Sequence, residues 1–344
     1  MTGYMQKAGL AVILAIGICA QTGAQAPQTP RDNRAAGAAA ATSATGWAQK
    51  TAWGEPDLQG IWTNATTTPF ERPESFGNRA QLTDQEYEVK RAQDAKRAAE
   101  GETAEDRARP GVGAGPTFWY ERGTPLRQTS LVVDPADGQL PALTPQAQER
   151  FDARRKELAS VPASPLLWES VGQWIRCISR GVPGGLIPVA YNNNYQIIQT
   201  PGQVVIHMEM IHETRIIPTD GRPRLPNGVR QWMGSSWGYW EGDTLVVETT
   251  NFHPEAQMNR GPHLLGIDAR VVERFMRKSA TEIDYELFVD APSTFVRPWT
   301  ASIPMFKDGA PDRMMEYACV EGDHAVRLTV LGLLADKQKR ESKK

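Results

Sequence analysis

The alternation of apolar and polar residues divides the chain into an irregular first half and a regular second half. From Tyr195 onward, short runs rich in Val, Ile, Thr and aromatic residues are separated by turn signals such as Glu241-Gly242-Asp243. This pattern is typical of a meandering antiparallel sheet or barrel, and the short connections favour an up-and-down topology. It predicts eight strands, at residues 195–200, 203–217, 231–240, 244–251, 269–277, 282–289, 299–305 and 314–320.

The first half of the domain, residues 51–190, is predicted to be irregular. Residues 57–62 indicate a first strand, with a glycine two residues before a tryptophan as in lipocalin-type barrels. Capping and turn signals predict further elements, namely helices at 82–101 and 146–158, a short strand at 130–133 and a C-terminal helix at 325–339. We therefore predict a mainly β fold. Residues 191–335 would form an antiparallel up-and-down barrel or a strongly curved, lipocalin-like sheet, with flanking helices and long loops.

The chain begins with the features of a cleavable signal peptide, which we place at residues 1–24. Lys7 precedes an uncharged apolar run that ends near Ala20, and small residues follow. The run is shorter than the roughly 20 residues that a membrane-spanning helix needs. We expect a periplasmic or secreted protein without a transmembrane segment after cleavage. Residues 25–50, rich in Ala, Thr, Gln and Gly, are predicted to form a disordered linker, and residues 336–344 a basic tail.

Removal of the signal peptide would leave two of the three cysteines, Cys177 and Cys319. Disulfides persist outside the cytoplasm, so two remaining cysteines favour a disulfide between them. The alternative is a pair of buried, unreactive thiols.

Composition and missing motifs narrow the classes of function. The net charge is −2, and basic residues are mixed with acidic ones, so we expect no nucleic-acid partner. The motifs GxSxG, GxxxxGK[ST], GxGxxG and CxxCH are absent, and we expect no cofactor. An enzyme of this composition would run hydrolysis, elimination or isomerisation with carboxylates and histidine.

A series of motifs covers almost the whole of the expected mature domain, from about Trp53 to Gly322. It includes PDLQGIW, YNNNYQIIQTPG, WEGDTLVVETTNF and EYACVEG. Together these motifs resemble an uncharacterised family of exported bacterial proteins. The resemblance implies export and carries no established activity. At one position where it leads us to expect a histidine, this chain has Arg224.

Segment 203–217 carries two residues suited to proton transfer. If it forms one strand, its apolar residues face one side, and His207, Glu209 and Arg215 face the other. That polar face either meets water or lines a cleft. In a cleft, His207 and Glu209 would be the catalytic residues, and Arg215 would bind an anionic group. His212 lies five residues after His207, a spacing that does not fit a zinc-binding helix, so no metal site is predicted.

Two further groups are candidates for ligand binding: amides and a phenol before a strand, and indoles in a glycine-rich hairpin. The first group is Tyr191, Asn192 and Asn193, and the second is Trp232, Trp237 and Trp240. Amides and phenols suit hydroxyl-rich ligands such as sugars, and indoles stack on sugars and flat apolar molecules. Both groups also have structural interpretations, because asparagine is a turn residue and tryptophan fills cores.

The leading functional prediction is a periplasmic or secreted β domain that binds a small molecule, either a sugar or an aromatic compound. The first alternative is a cofactor-independent lyase or hydrolase acting on a glycoside or an aromatic substrate. The second alternative is an envelope interaction protein without a pocket. A concave site that holds His207, Glu209 and Arg215 together would favour the enzyme, and a site lined by indoles would favour binding. The oligomeric state is left open.

Overall fold

The computed structural model describes residues 47, 49–100, 120–121, 123–160, 173–174, 176–258 and 264–319, together with six single positions between 331 and 342. The predicted signal peptide lies outside these residues. So do most of the predicted linker, the basic tail and the C-terminal helix.

The described part of the chain is built around one antiparallel sheet of eleven strands. The strands are β1 (Gly60–Thr63), β2 (Val132–Asp134), β3 (Asn194–Thr200), β4 (Gln203–Met208), β5 (Thr214–Pro218), β6 (Ser235–Glu241), β7 (Thr244–Thr250), β8 (Arg270–Arg277), β9 (Glu282–Asp290), β10 (Trp299–Ser302) and β11 (Met305–Phe306). Two α-helices have both ends in the described residues, α1 (Asp84–Glu100) and α2 (Pro145–Ser160), and the described positions 331, 332, 335, 338 and 339 are also helical. The prediction of a mainly β fold is confirmed.

The first strand joins two meanders. The strand order is β5-β4-β3-β1-β11-β9-β8-β7-β6, and β10 pairs with β9 and β2 beside this path. In β1, Thr63 lies opposite Asn194 of β3 on one side and opposite Phe306 of β11 on the other. The sheet is therefore only partly up-and-down, because a strand from the first half of the chain lies between the two meanders.

The edge strands β5 and β6 contact each other through side chains. Arg215 on β5 donates a hydrogen bond from Nη2 to Ser236 Oγ on β6, at 3.1 Å. A Cβ atom on Gly238 of β6 would lie only 3.0 Å from Ile217 Cγ2 of β5, so the missing side chain permits this approach. Among the described residues no ladder of backbone hydrogen bonds joins β5 to β6. The sheet curls until its edges touch, and the predicted closed, lipocalin-like barrel is not confirmed.

The core lies on the inner face of the curled sheet. Along β9, residues at alternate positions are buried: Ile283, Tyr285, Leu287 and Val289. Along β4, Val204, Ile206 and Met208 are buried in the same way. Each fully buried apolar side chain of this size contributes about 1.5–3 kcal/mol to folding, so this face holds the sheet together.

Segment 203–217 forms two strands and not the single strand that its apolar content predicts. β4 ends at Met208, a 3₁₀ turn occupies Met210–His212, and β5 begins at Thr214. Ile211 and His212 adopt left-handed backbone conformations, with φ of 60° and 46°. Ile211 is β-branched, and such residues rarely adopt a left-handed conformation. Because the turn is formed by a residue that is typical of strands, the sequence gives no signal for a turn at this position.

The bounds of the other strands predicted in the second half can be compared with the observed strands. The predictions at 195–200, 244–251, 269–277 and 282–289 match β3, β7, β8 and β9. The prediction at 299–305 covers two short strands, β10 and β11, and the strand predicted at 231–240 begins only at Ser235. Residues 314–319, the described part of the predicted last strand, contain no strand.

The helices and short strands predicted in the first half are present, but the strand predicted at 57–62 begins only at Gly60 and the strand predicted at 130–133 begins only at Val132. At the start of α1, Glu86 N–H donates to Thr83 Oγ1 at 3.2 Å, and Thr83 N–H donates to Glu86 Oε2 at 2.8 Å. Thr144 caps α2 by accepting a hydrogen bond from Ala147 N–H at 3.1 Å. No helix among the described residues is both long enough and apolar enough to cross a membrane.

The predicted disulfide between Cys177 and Cys319 is present, with 5.8 Å between the Cα atoms. It connects the loop before β3 to the chain that follows β11. Cys319 packs with Met210 and Ile211 in a small buried cluster, separate from the main core. The bridge therefore fixes two long irregular segments beside the turn that separates β4 from β5.

Candidate functional site

A cavity of about 550 Å³ lies where the two edges of the sheet meet. We call it the β5/β6 cavity. Its walls are β5, the start of β6 and the loop that leads from β5 to β6. The larger side chains that line it are mostly basic, apolar or aromatic, among them Arg215, Arg222, Arg224, Leu225, Met233, Trp237 and Tyr239. None of its described lining residues is an aspartate or a glutamate.

Two glycines shape the loop over the cavity. Gly221, with φ of 72°, completes a turn in which Asp220 Oδ1 accepts a hydrogen bond from Arg222 N–H at 3.1 Å. Gly234, with φ of 68°, leads the loop into β6, and a Cβ atom there would lie 2.7 Å from the carbonyl oxygen of Thr250. Only glycine combines this conformation with such a close approach. The loop is therefore held at both ends by local backbone requirements.

A buried ion pair lies at the inner wall of the cavity. The Arg215 guanidinium donates to both Glu273 carboxylate oxygens, at 2.9 and 2.6 Å, and Tyr285 donates its hydroxyl to the same carboxylate at 3.0 Å. Ser236 and Thr249 accept further hydrogen bonds from Arg215 Nη2, at 3.1 and 3.4 Å. Burial opposes the charge of Arg215, but attraction to Glu273 outweighs it and raises the pKa of Arg215. Arg215 Nε is buried without an acceptor among the described residues.

At the outer wall, an arginine covers a tryptophan ring. The Cζ atom of Arg224 lies 3.5 Å from the centroid of the Trp237 ring, which is van der Waals contact between two flat groups. Trp237 is half-buried, and its Nε1–H has no acceptor among the described residues. Arg222 forms an ion pair with Asp220 at 2.6 Å, and its hydrogen bonds lower the pKa of Asp220 to about 2.

Arg215 lies on a different face from the one that the sequence predicts. It stands opposite Ile206 in the register of β4 and β5, on the buried side, and is 4% exposed. The turn at Met210–His212 reverses the chain, so the parity of a single strand does not extend from His207 to Arg215. Arg215 lines the cavity, as a residue for an anionic group should, but it is already neutralised by Glu273.

His207 and Glu209 do not line the described cavity. His207 is half-buried on β4, with Nδ1 2.9 Å from Thr214 Oγ1, and burial together with the charge of His212 lowers its pKa. Glu209 is 3% exposed and accepts a hydrogen bond from Asn194 Nδ2 at 2.6 Å. Burial raises the pKa of Glu209, and the neighbouring Glu121 adds to that effect. The structure therefore does not bring His207, Glu209 and Arg215 into one site.

The candidate amides bind the half-buried carboxylate of Glu121 and do not line the cavity. Asn192 and Asn193 donate their backbone N–H groups to Glu121, at 2.9 and 2.8 Å, and Asn193 Nδ2 donates to it at 2.9 Å. Asn193 is fully buried, and Tyr191 packs beside the cluster that contains Cys319. These residues hold the entry to β3 in place.

The three candidate tryptophans have different surroundings. Trp237 lines the cavity. Trp232 stacks on His253 with 4.0 Å between the ring centroids, and Trp240 is half-buried against the main core. Of the three, Trp237 alone is a described lining residue of the cavity.

Sequence reasoning missed Glu273 and Glu121. Glu273 had a usable signal, because on β8 it shares the buried face with Val271 and Phe275. A carboxylate in an inward position predicts a buried cationic partner. Glu121 follows a glycine- and proline-rich passage without periodicity, so its contact with Asn193 had no local signal.

The described residues contain no group of three or more His, Cys, Asp or Glu side chains that could hold a metal ion. Comparison of the chain with models of protein families, with curated proteins and with solved structures finds no match. The family resemblance therefore stays a prediction, and the functional argument depends on the geometry of the cavity.

Proposed function

We propose that the protein is a periplasmic or secreted domain that binds a small molecule with a flat face, either a sugar or an aromatic compound, in the β5/β6 cavity. The observation that carries the proposal is the cavity itself, about 550 Å³ in volume and bordered by the Trp237 ring. This volume falls within the range of about 300–1,000 Å³ that is usual for small-molecule sites. The disulfide supports export, since disulfides persist in oxidising compartments.

The lining of the cavity fits a ligand with both a flat face and polar groups. Trp237, Tyr239 and Met233 offer aromatic and apolar surface, and Ser235 and Ser236 offer hydroxyl groups close by. Indole rings stack on sugar rings and on aromatic rings, and a few polar groups fix the orientation of the ligand. In this proposal the curled sheet acts as an incompletely closed barrel, with its binding site at the open edge.

The enzyme alternative has less support. It requires His207, Glu209 and Arg215 in one concave site, but only Arg215 is among the described lining residues of the cavity. Arg215 is moreover engaged with Glu273. We therefore rank binding above acid–base catalysis.

Isothermal titration calorimetry of the purified protein tests the proposal. The titrants are methyl glycosides, uronic acids, naphthalene carboxylates and naphthalene methanols. Trp237→Ala removes the ring that lines the cavity, and Trp232→Ala is the matched control, because Trp232 stacks on His253 outside it. We expect Trp237→Ala to weaken binding at least about tenfold, or about 1.4 kcal/mol, and Trp232→Ala to leave it unchanged. Absence of binding by every titrant, or equal losses in the two variants, would overturn the proposal.

A further inference from the structure

Three guanidinium groups border the β5/β6 cavity, and their charges are not equally compensated. Arg215 is paired with Glu273, and Arg222 is paired with Asp220, each at 2.6 Å. Arg224 has no carboxylate partner within the part of the chain that the structure describes, and its contact is with the neutral ring of Trp237. The cavity therefore carries one net positive charge, which belongs to Arg224.

The position of Arg224 leaves its hydrogen-bonding capacity available. A guanidinium that lies over an aromatic ring uses its face for the contact, and its N–H donors lie in its plane. Arg224 is an exposed residue of the loop, so its side chain can turn away from Trp237 without disturbing the core. A cation–π contact at an exposed site is weaker than a charge-assisted pair of hydrogen bonds to a carboxylate.

Among the described residues, two buried N–H groups that belong to lining residues of the cavity have no acceptor. They are Arg215 Nε and Trp237 Nε1. Buried donors normally have an acceptor, supplied by protein, water or a ligand. An anionic group in the cavity offers oxygen acceptors of the kind that these two donors lack.

We propose that the ligand is a monoanion, a carboxylate attached to a sugar or aromatic ring. The ring of the ligand stacks on Trp237, and Arg224 turns away from the Trp237 indole to bind the carboxylate. The proposal rests on the proposed function, because it names the chemical class of ligand for the same cavity. A single uncompensated guanidinium matches one negative charge. A ligand with two negative charges would leave one of them without a partner.

Matched pairs of acid and neutral compound test the charge separately from the ring. The pairs are 1-naphthoate with 1-naphthalenemethanol, and galacturonate with methyl galactoside, titrated by calorimetry into the wild-type protein. We expect one acid to bind at least about tenfold more tightly than its neutral counterpart. Raising the salt concentration should reduce this preference, since the partly exposed ion pair is screened.

Arg224→Gln and Arg297→Gln distinguish a guanidinium of the cavity from an exposed guanidinium elsewhere on the surface. We expect Arg224→Gln to remove the preference for the acid, and Arg297→Gln to preserve it within about threefold, because Arg297 is exposed and is not among the described lining residues of the cavity. Arg224→Lys keeps the charge without the planar pair of donors and should retain part of the preference. Both glutamine substitutions change exposed residues, and unchanged thermal unfolding of the free variants would verify that they fold.

The outcomes separate this inference from the proposed function. Equal binding of acid and neutral compound, with a loss on Trp237→Ala, would overturn the inference and leave the proposed function standing. A preference for the acid that survives Arg224→Gln would overturn the role of Arg224. If none of the four compounds in the two pairs binds, the inference is overturned. If no compound in the wider set of titrants binds, the proposed function is overturned as well.

Discussion

Arg215 on β5 and Glu273 on β8 form a bidentate ion pair, with N–O distances of 2.9 and 2.6 Å. The two side chains are 3% and 0% exposed. The pair connects β5, one edge strand of the sheet, to β8, which belongs to the meander that ends in the other edge strand, β6. Among the described residues no backbone ladder joins β5 to β6. It therefore supplies a specific polar link at the place where the curled sheet lacks backbone hydrogen bonds.

The first prediction concerns this pair. Arg215→Met should lower the free energy of unfolding by about 3–5 kcal/mol, because it leaves the Glu273 carboxylate buried without its cation. Urea denaturation followed by circular dichroism measures the change. Arg274→Met is the control, since Arg274 pairs with exposed Glu241 and should cost less than about 1 kcal/mol. A loss below about 1 kcal/mol in Arg215→Met would show that the buried pair does not stabilise the fold.

The second prediction concerns the disulfide. Cys177 and Cys319 are 142 residues apart, and closing a loop of that length lowers the entropy of the unfolded chain by an amount worth about 5 kcal/mol in the chain-entropy model. The double variant Cys177→Ala/Cys319→Ala should lose about 2–5 kcal/mol of unfolding free energy in guanidinium denaturation. Reductant should destabilise the wild-type protein and have no effect on the variant. Identical curves for oxidised and reduced wild type would contradict the prediction.

The third prediction concerns pH. Burial raises the pKa of Glu209 above its ordinary value of 4.5, so the native state holds this proton more tightly than the unfolded state does. The free energy of unfolding should therefore fall as the pH rises from about 4.5 through the raised pKa of Glu209, because ionisation is easier in the unfolded chain. Glu209→Gln should flatten this part of the profile.

Glu286→Gln is the control for the pH experiment, because Glu286 is exposed on β9. Urea denaturation between pH 4 and pH 8 gives the profiles of all three proteins. If Glu209→Gln and wild type have parallel profiles, the burial of Glu209 does not contribute to the pH dependence of stability.

The fourth prediction compares two glycines with similar backbone angles. Gly234 and Gly242 have φ of 68° and 60°. A Cβ atom on Gly234 would lie 2.7 Å from Thr249 Cγ2 and 2.8 Å from Phe252 Cε1. A Cβ atom on Gly242 would have no other atom within 4 Å among the described residues. Gly242→Ala should cost about 1–2 kcal/mol for the left-handed conformation alone. Gly234→Ala should cost about 1–3 kcal/mol more in thermal unfolding, from overpacking. Equal losses would contradict this account.

The strands were predictable where the period of two is unbroken and the ends carry turn residues. β8 is an example, because Val271, Glu273 and Phe275 alternate with more exposed residues. The boundary between β4 and β5 was not predictable, since Ile211 is buried and apolar yet adopts a left-handed conformation. In this conformation Ile211 packs in one cluster with Cys319, which is remote in the sequence.

The site was predictable only in part. Trp237 and Arg215 were both identified as ligand-binding candidates, and both line the cavity. Their proximity depends on the curling of the sheet, a long-range property that local patterns do not encode. The partner of Arg215 is 58 residues away in the chain, so its neutralisation was also outside the reach of local reasoning.

The insertion of β1 between β3 and β11 has a consequence for the order of folding. β1 is among the first residues of the domain to be synthesised, yet its partners end with Phe306. Until that residue has left the ribosome, one edge of β1 has no strand to pair with, and unpaired edges promote association between chains. Completion of the sheet therefore depends on its C-terminal strand, and a chain that ends before Met305 would expose the edge on which the two meanders join.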